Sequence, residues 1–168
     1  DKFSNPEWVA SDLIGQAEHD NLAQCILISK EKSIITKVNE EISKQLKNLQ
    51  RKKIAKNSLI NNGIFIHMTS DQNIIDTINK IAPEHLELNI KNYKNIVGRI
   101  KNSGSICLGK YAVMAMTDYG VPGSNHVLPT NTSSRYSSGL SVGEFIKKIS
   151  YINLSKKGIE TLGPSVIT

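Results

Sequence analysis

Long apolar runs are missing from these 168 residues. None approaches the roughly 18 consecutive apolar positions that a membrane-spanning helix needs. A secretory leader, with basic start, apolar middle and small-residue cleavage site, is missing as well. Cysteine is scarce: Cys25 and Cys107 each sit inside an apolar run, where buried thiols of a reduced, cytoplasmic protein are expected. Aromatics make up only 5% of the chain, three Phe, five Tyr and one Trp, which is thin material for stacking nucleic-acid bases. There is no Gly-x-Gly-x-x-Gly turn for a dinucleotide, no internal repeat and no low-complexity tract. The first residue is not Met and the chain opens directly on a helix start, so it reads as a portion of a longer protein.

Positive charge is present in excess: 21 Lys and Arg against 15 Asp and Glu give a net charge of +6. A basic module that binds nucleic acid is one reading, and it predicts affinity that falls steeply with salt. The distribution argues against it. Lys30, Lys32, Lys37, Lys44, Lys47 and Arg51 are strung along one helix-like stretch and interleaved with Glu31, Glu40 and Glu41, the pattern of a solvated helix face. Neither a nucleic-acid nor a membrane partner is expected. An apolar share of 39% is ordinary for a globular domain of this length.

Periodicity organises the chain into alternating helices and strands. Ser4-Asn5-Pro6-Glu7 carries cap candidates, a proline whose missing N–H costs nothing there, and an acid in the first turn. Val9, Leu13 and Ala17 continue it as a buried stripe. Gln24 to Ser29 is a short strand, and from Glu31 one long helix is expected towards Ser58, stopped by Asn61-Asn62-Gly63. Gly63 to Met68 is a second strand, Ser70 to Ile81 a capped helix ended before Pro83, and His85 to Ile90 and Gly104 to Gly109 are further strands. Continuously apolar strands between helices predict an α/β domain with a largely parallel, covered sheet. Asn131-Thr132-Ser133-Ser134-Arg135 reads as a linker, with short helices expected over Ser141 to Ile149 and Ser155 to Leu162.

Three clusters can carry chemistry. Gln16 and His19 are three apart on the first predicted helix, off the Val9-Leu13-Ala17 stripe, a spacing at which an oxygen and an imidazole donor can share a metal such as zinc. A histidine favoured by the dipole at a helix end is the plainer alternative. Glu84 and His85 follow Pro83 at an element end and can supply a general base and a water activator, or simply decorate a turn. From Asp118 to Thr130 runs a Gly-, Pro- and Asn-rich loop that carries Asp118 and His126, as binding loops and structural turns both do. His67 is read as a strand-end histidine with no chemical role.

Together these segments resemble the histidinol dehydrogenase family. The resemblance is carried by Asn5-Pro6-Glu7-Trp8-Val9-Ala10, Gln16-Ala17-Glu18-His19-Asp20, Ala82-Pro83-Glu84-His85-Leu86-Glu87-Leu88, Asn125-His126-Val127-Leu128-Pro129-Thr130 and Tyr136-Ser137-Ser138-Gly139-Leu140-Ser141-Val142, in that order. It implies two successive NAD-linked oxidations of L-histidinol, through the aldehyde to L-histidine, the last two steps of histidine biosynthesis. Gln16, His19 and Asp118 would be zinc ligands. His85 would be the general base and Glu84 its partner in activating water. Gln16, His19, His85, Asp118 and His126 would contact substrate. A Rossmann-like, aldehyde-dehydrogenase-like sheet with helices on both faces is implied for residues 1–139, and residues 140–168 would begin a helical segment that reaches the partner of a homodimer. The stretch between Asp118-Tyr119 and Asn125-His126 is longer by a residue than the family's. The NAD contacts, a fourth zinc ligand and a substrate-binding Glu would lie outside these residues, leaving the piece inactive alone. A related zinc enzyme acting on another amino alcohol or a sulfonate would use the same groups.

Overall fold

The computed structural model describes residues 1–119 and 125–167, the side chain of Asp118 excepted. The first helix, α1 (Pro6–Ala17), begins as its sequence dictates: the Asn5 side chain accepts the Glu7 N–H at 2.9 Å, and Pro6 occupies the first turn. Its buried stripe is Ala10, Ile14 and Ala17, displaced by a residue from the expected one, with Val9 and Leu13 at its margin. The strands β1 (Cys25–Ser29) and β2 (Gly63–His67) pair in parallel, Cys25 opposite Gly63 and Ser29 opposite His67. Between them lie α2 (Lys32–Gln45) and α3 (Lys52–Asn62).

The single long helix expected from Glu31 to Ser58 is therefore broken, by a 3₁₀ turn at Leu46–Asn48 and an extended Leu49. Length explains the break. A helix of that span would run about 40 Å, whereas a five-residue strand covers only about 17 Å, and the chain must return to the start of β2. α3 instead tucks beneath the entrance to β1, where Ser58 Oγ donates to the Ala23 carbonyl at 2.8 Å and Asn62 Nδ2 to that of Asn21 at 3.0 Å. Gly63 ends α3 because a Cβ there would lie 2.3 Å from the Leu59 carbonyl oxygen. The core sits where α1, α2 and α3 meet, on Ala10, Ile14, Ile34, Val38, Ile42 and Ala55.

The helix α4 (Asp71–Ile81) is capped by Ser70, whose Oγ accepts the Asn73 N–H at 3.4 Å, and ends on Ala82 in the left-handed region at φ 52°. The strands β3 (His85–Leu88) and β4 (Ser105–Leu108) form a second parallel pair, flanking α5 (Lys94–Val97), and α6 (Met114–Tyr119) follows. Among the described residues there are thus two two-stranded parallel sheets, rather than the one largely parallel sheet expected. The α/β class and the parallel pairing stand; the helical crossovers between β1 and β2, and between β3 and β4, satisfy the connection that parallel neighbours require.

Two further expectations change. Asn131–Arg135 is not a free linker: Asn131 and Thr132 take positive φ (50° and 66°), Ser133–Arg135 forms a 3₁₀ turn, and buried Ser134 donates to the Ala82 carbonyl at 3.0 Å while Arg135 hydrogen-bonds that of Lys80. Of the helix expected over Ser141 to Ile149 only a 3₁₀ turn at Val142–Phe145 forms, and Val142, Phe145, Ile146 and Ile149 stay exposed. Short helices gain most of their stability from packing an apolar face, and this one packs on nothing described. The last helix, α7 (Lys156–Leu162), matches its expectation and is capped by Ser155. No described helix is long and apolar enough to cross a membrane.

Candidate functional site

The site is built on the face of α1 that turns away from the core. Along it, every fourth residue reaches the β3–β4 unit. Ser4, just before the helix, donates from Oγ to the Asn89 carbonyl at 2.6 Å. The Trp8 ring lies 6.0 Å from that of Tyr111. Asp12 shares a carboxyl–carboxyl hydrogen bond with Glu87, whose Oε1 also accepts the Met114 N–H at 3.1 Å. Gln16 is the next member of this stripe.

The contacts run in opposite directions on the two elements, so α1 is antiparallel to β3. Gln16 lies one turn beyond Asp12, about 6 Å along the axis. Two residues before Glu87, on the same face of β3, stands His85, about 6.6 Å away along the strand. The two steps are of similar length and lie on the same side of the Asp12–Glu87 contact. Burial between α1 and β3 disfavours charge on both acids: desolvation, then repulsion from Asp12, pushes the Glu87 carboxyl up to about 8, and desolvation raises Asp12 as well.

His19 departs from its expected place. α1 ends at Ala17, so His19 lies in the following turn, its N–H donating to the Gln16 carbonyl at 3.3 Å and its own carbonyl accepting from Arg51 Nη2 at 3.3 Å. The pair is held by backbone geometry rather than by a shared helical face, and His19 is exposed.

Glu84 and His85 open β3, with Glu84 Oε1 3.7 Å from His85 Nε2. The loop that carries His126 packs on the same strand end. Gly104 leaves room for it: a Cβ there would meet the Glu84 carbonyl at 2.6 Å and Pro129 Cδ at 3.1 Å. The loop closes on itself through the Leu140 N–H to the Val127 carbonyl at 3.0 Å and the Val127 N–H to Asn125 Oδ1 at 3.0 Å. His126, three residues before Pro129 on this loop, is exposed. Asp118 lies on α6, whose first N–H is fixed by Glu87; its side chain, and the longer stretch Val121-Pro122-Gly123-Ser124, are outside the described residues. No group of three or more His, Cys, Asp or Glu is placed to hold a metal among the described residues.

Two open cavities, of about 440 and 380 Å³, lie elsewhere, against α2–α3 and against the Glu18 side of α1; neither is lined by Gln16, His19, Glu84, His85 or His126. The remaining sequence candidates are structural. His67 Nε2 sits 3.0 Å from the Lys30 carbonyl, as a strand-end histidine should. Cys25 and Cys107 are buried and form no disulfide, and burial pushes the Cys25 thiol up to about 11. Sequence reasoning missed Asp12 and Glu87. The available signal was two acids at inward positions, Glu87 two residues from His85 on a strand and Asp12 four from Gln16 on a helix.

The family model described as histidinol dehydrogenase matches residues 1–168. A histidinol dehydrogenase of Pelagibacter ubique is 82% identical over all of this chain and 39% of its own length. That of Listeria monocytogenes is 45% identical over 95% of this chain and 37% of its own length. The crystal structure of histidinol dehydrogenase from Elizabethkingia anophelis superposes with a TM-score of 0.84 at 39% identity, covering 97% of this chain and 37% of that one. The chain therefore spans about two-fifths of the length of the relatives it matches, and it belongs to the histidinol dehydrogenase family.

Proposed function

We propose that this chain carries part of the active site of an enzyme that oxidises L-histidinol through the aldehyde to L-histidine, with two hydride transfers to NAD. The observation that supports the reading is the stripe on α1: Ser4, Trp8 and Asp12 dock on the β3–β4 unit with Gln16 one turn further along, while Pro129, on the loop that carries His126, packs at Gly104 next to Glu84. Gln16, His19 and Asp118 supply an amide oxygen, an imidazole and a carboxylate, a donor set that suits zinc. Bound zinc would anchor the substrate's nitrogens with no redox change of its own. The hydride chemistry belongs to the nicotinamide, and the protein supplies orientation and proton transfer.

His85 takes the proton of the substrate hydroxyl as the carbinol carbon loses hydride. Glu84, whose Oε1 lies 3.7 Å from His85 Nε2, orients the water that adds to the aldehyde before the second oxidation. His126 contacts the substrate from the loop. The two strand pairs belong to a Rossmann-like arrangement within residues 1–139. Residues 140–168 begin a segment that docks on the partner subunit of a homodimer, which accounts for their exposed Val142, Phe145, Ile149 and Ile152. Groups outside this stretch complete the NAD and zinc sites.

The test is NADH formation by the full-length protein, with zinc, on L-histidinol and on a panel of other amino alcohols and sulfonates. Turnover confined to histidinol, releasing two NADH per histidine, is expected. No turnover on histidinol, or a stronger response to another member of the panel, refutes the assignment.

A further inference from the structure

The acids that couple α1 to β3 are not among the groups read as touching substrate or metal. We propose that Asp12 and Glu87 act as a hydrogen-bonded carboxyl pair that sets the separation between the Gln16–His19 end of α1 and the Glu84–His85 end of β3. They are positioning residues, and the inference rests on the function proposed above.

Glu87 Oε1 accepts the Met114 N–H. The same carboxyl hydrogen-bonds that of Asp12, and two carboxyl groups can share a hydrogen bond only if a proton lies between them. Burial and the neighbouring acid both hold Glu87 in the protonated form that donates it. A single side chain thereby ties three elements: α1 through Asp12, β3 through its own backbone, and the start of α6 through Met114. Each carries a group of the proposed site, Gln16, His85 and Asp118. Trp8 against Tyr111 and Ser4 against Asn89 fix the far end of α1, so the Asp12–Glu87 contact is the anchor nearest the chemistry. Its loss lets the last turn of α1 shift against β3. A misplacement of about 1 Å costs on the order of a hundredfold in rate.

Glutamine reproduces the protonated acid: its Oε1 accepts from Met114 and its Nε2 donates to Asp12. The experiment uses the full-length protein and E87A, E87Q, D12A and D12A/E87A. It measures urea unfolding of metal-free protein, zinc loss to a chelator, and kcat and KM for L-histidinol. E87A and D12A should each speed zinc loss and lower kcat by roughly a hundredfold. The double variant should be no worse than either single one, in kcat and in unfolding alike. E87Q should restore zinc retention and kcat. A merely structural contact would lower stability without the zinc effect.

Parental kcat and zinc retention in E87A, an E87Q as defective as E87A, or additive unfolding effects in the double variant would each overturn the pair. A parent protein that neither retains zinc nor oxidises histidinol refutes the proposed function instead. Unfolding of the metal-free variants still decides whether Asp12 and Glu87 are coupled.

Discussion

The two faces of α1 show how differently a fold and a site are held together. One face is apolar: Ala10, Ile14 and Ala17 disappear against α2, α3 and β1, where many small dispersion contacts add up and no single polar group matters. The other is sparse, with Ser4, Trp8 and Asp12 meeting the β3–β4 unit through a handful of directed contacts. The first face tolerates small shifts at a cost in stability. The second sets the spacing on which the chemistry depends, so its failures should appear in rate before they appear in folding.

The largest expected break is His85→Ala on the polar side, measured in the full-length protein. Losing a general base should lower kcat by about 10²- to 10⁴-fold, while the urea midpoint moves less than for a core variant. A kcat near that of the parent would remove His85 from its assigned role. The counterpart on the apolar side is Ile42→Ala, buried on α2. It should cost about 2–5 kcal/mol in urea unfolding, with kcat nearly unchanged wherever the protein stays folded.

The dependence on pH separates the faces more finely. Glu87 is raised from its ordinary 4.5 to about 8 by burial and by Asp12. Across that range the folded protein holds a proton that the unfolded chain has released. The contribution of Glu87 is therefore fully present below 4.5 and is lost as pH rises through 8. Melting temperatures of the parent should fall relative to those of E87Q over this window; parallel curves would contradict the shift. The smallest effect belongs to Asn5→Ala, which removes the cap of α1 and should cost about 1 kcal/mol. Since the cap serves the whole helix, stability should drop without a change in the pH difference curve.

Local signals made most of the elements legible. The Asn5-Pro6 start of α1, the Ser70 cap of α4, the Gly63 stop and the four strands lie within a few residues of their expected places, because caps, breakers and apolar runs act locally. Non-local requirements were not legible. The break at Leu46–Asn48 follows from the distance between two strands, and nothing in that stretch is a helix breaker. The ordering of Ser133–Arg135 depends on a carbonyl of Ala82, some fifty residues away. At the site, the residue types of Gln16, Glu84, His85 and His126 drew attention to themselves, whereas Asp12 and Glu87 look like surface acids until the antiparallel docking of α1 on β3 puts them together.

Convergence of Gln16, His85 and His126 is the central claim, and a crystal structure of the full-length protein with zinc and L-histidinol tests it most directly. The account predicts zinc bound by Gln16 and His19, with His85 and His126 within hydrogen-bonding distance of the same histidinol molecule. Histidinol or zinc bound where Gln16 and His19 cannot reach it, or a His85 ring turned away from α1, would contradict it.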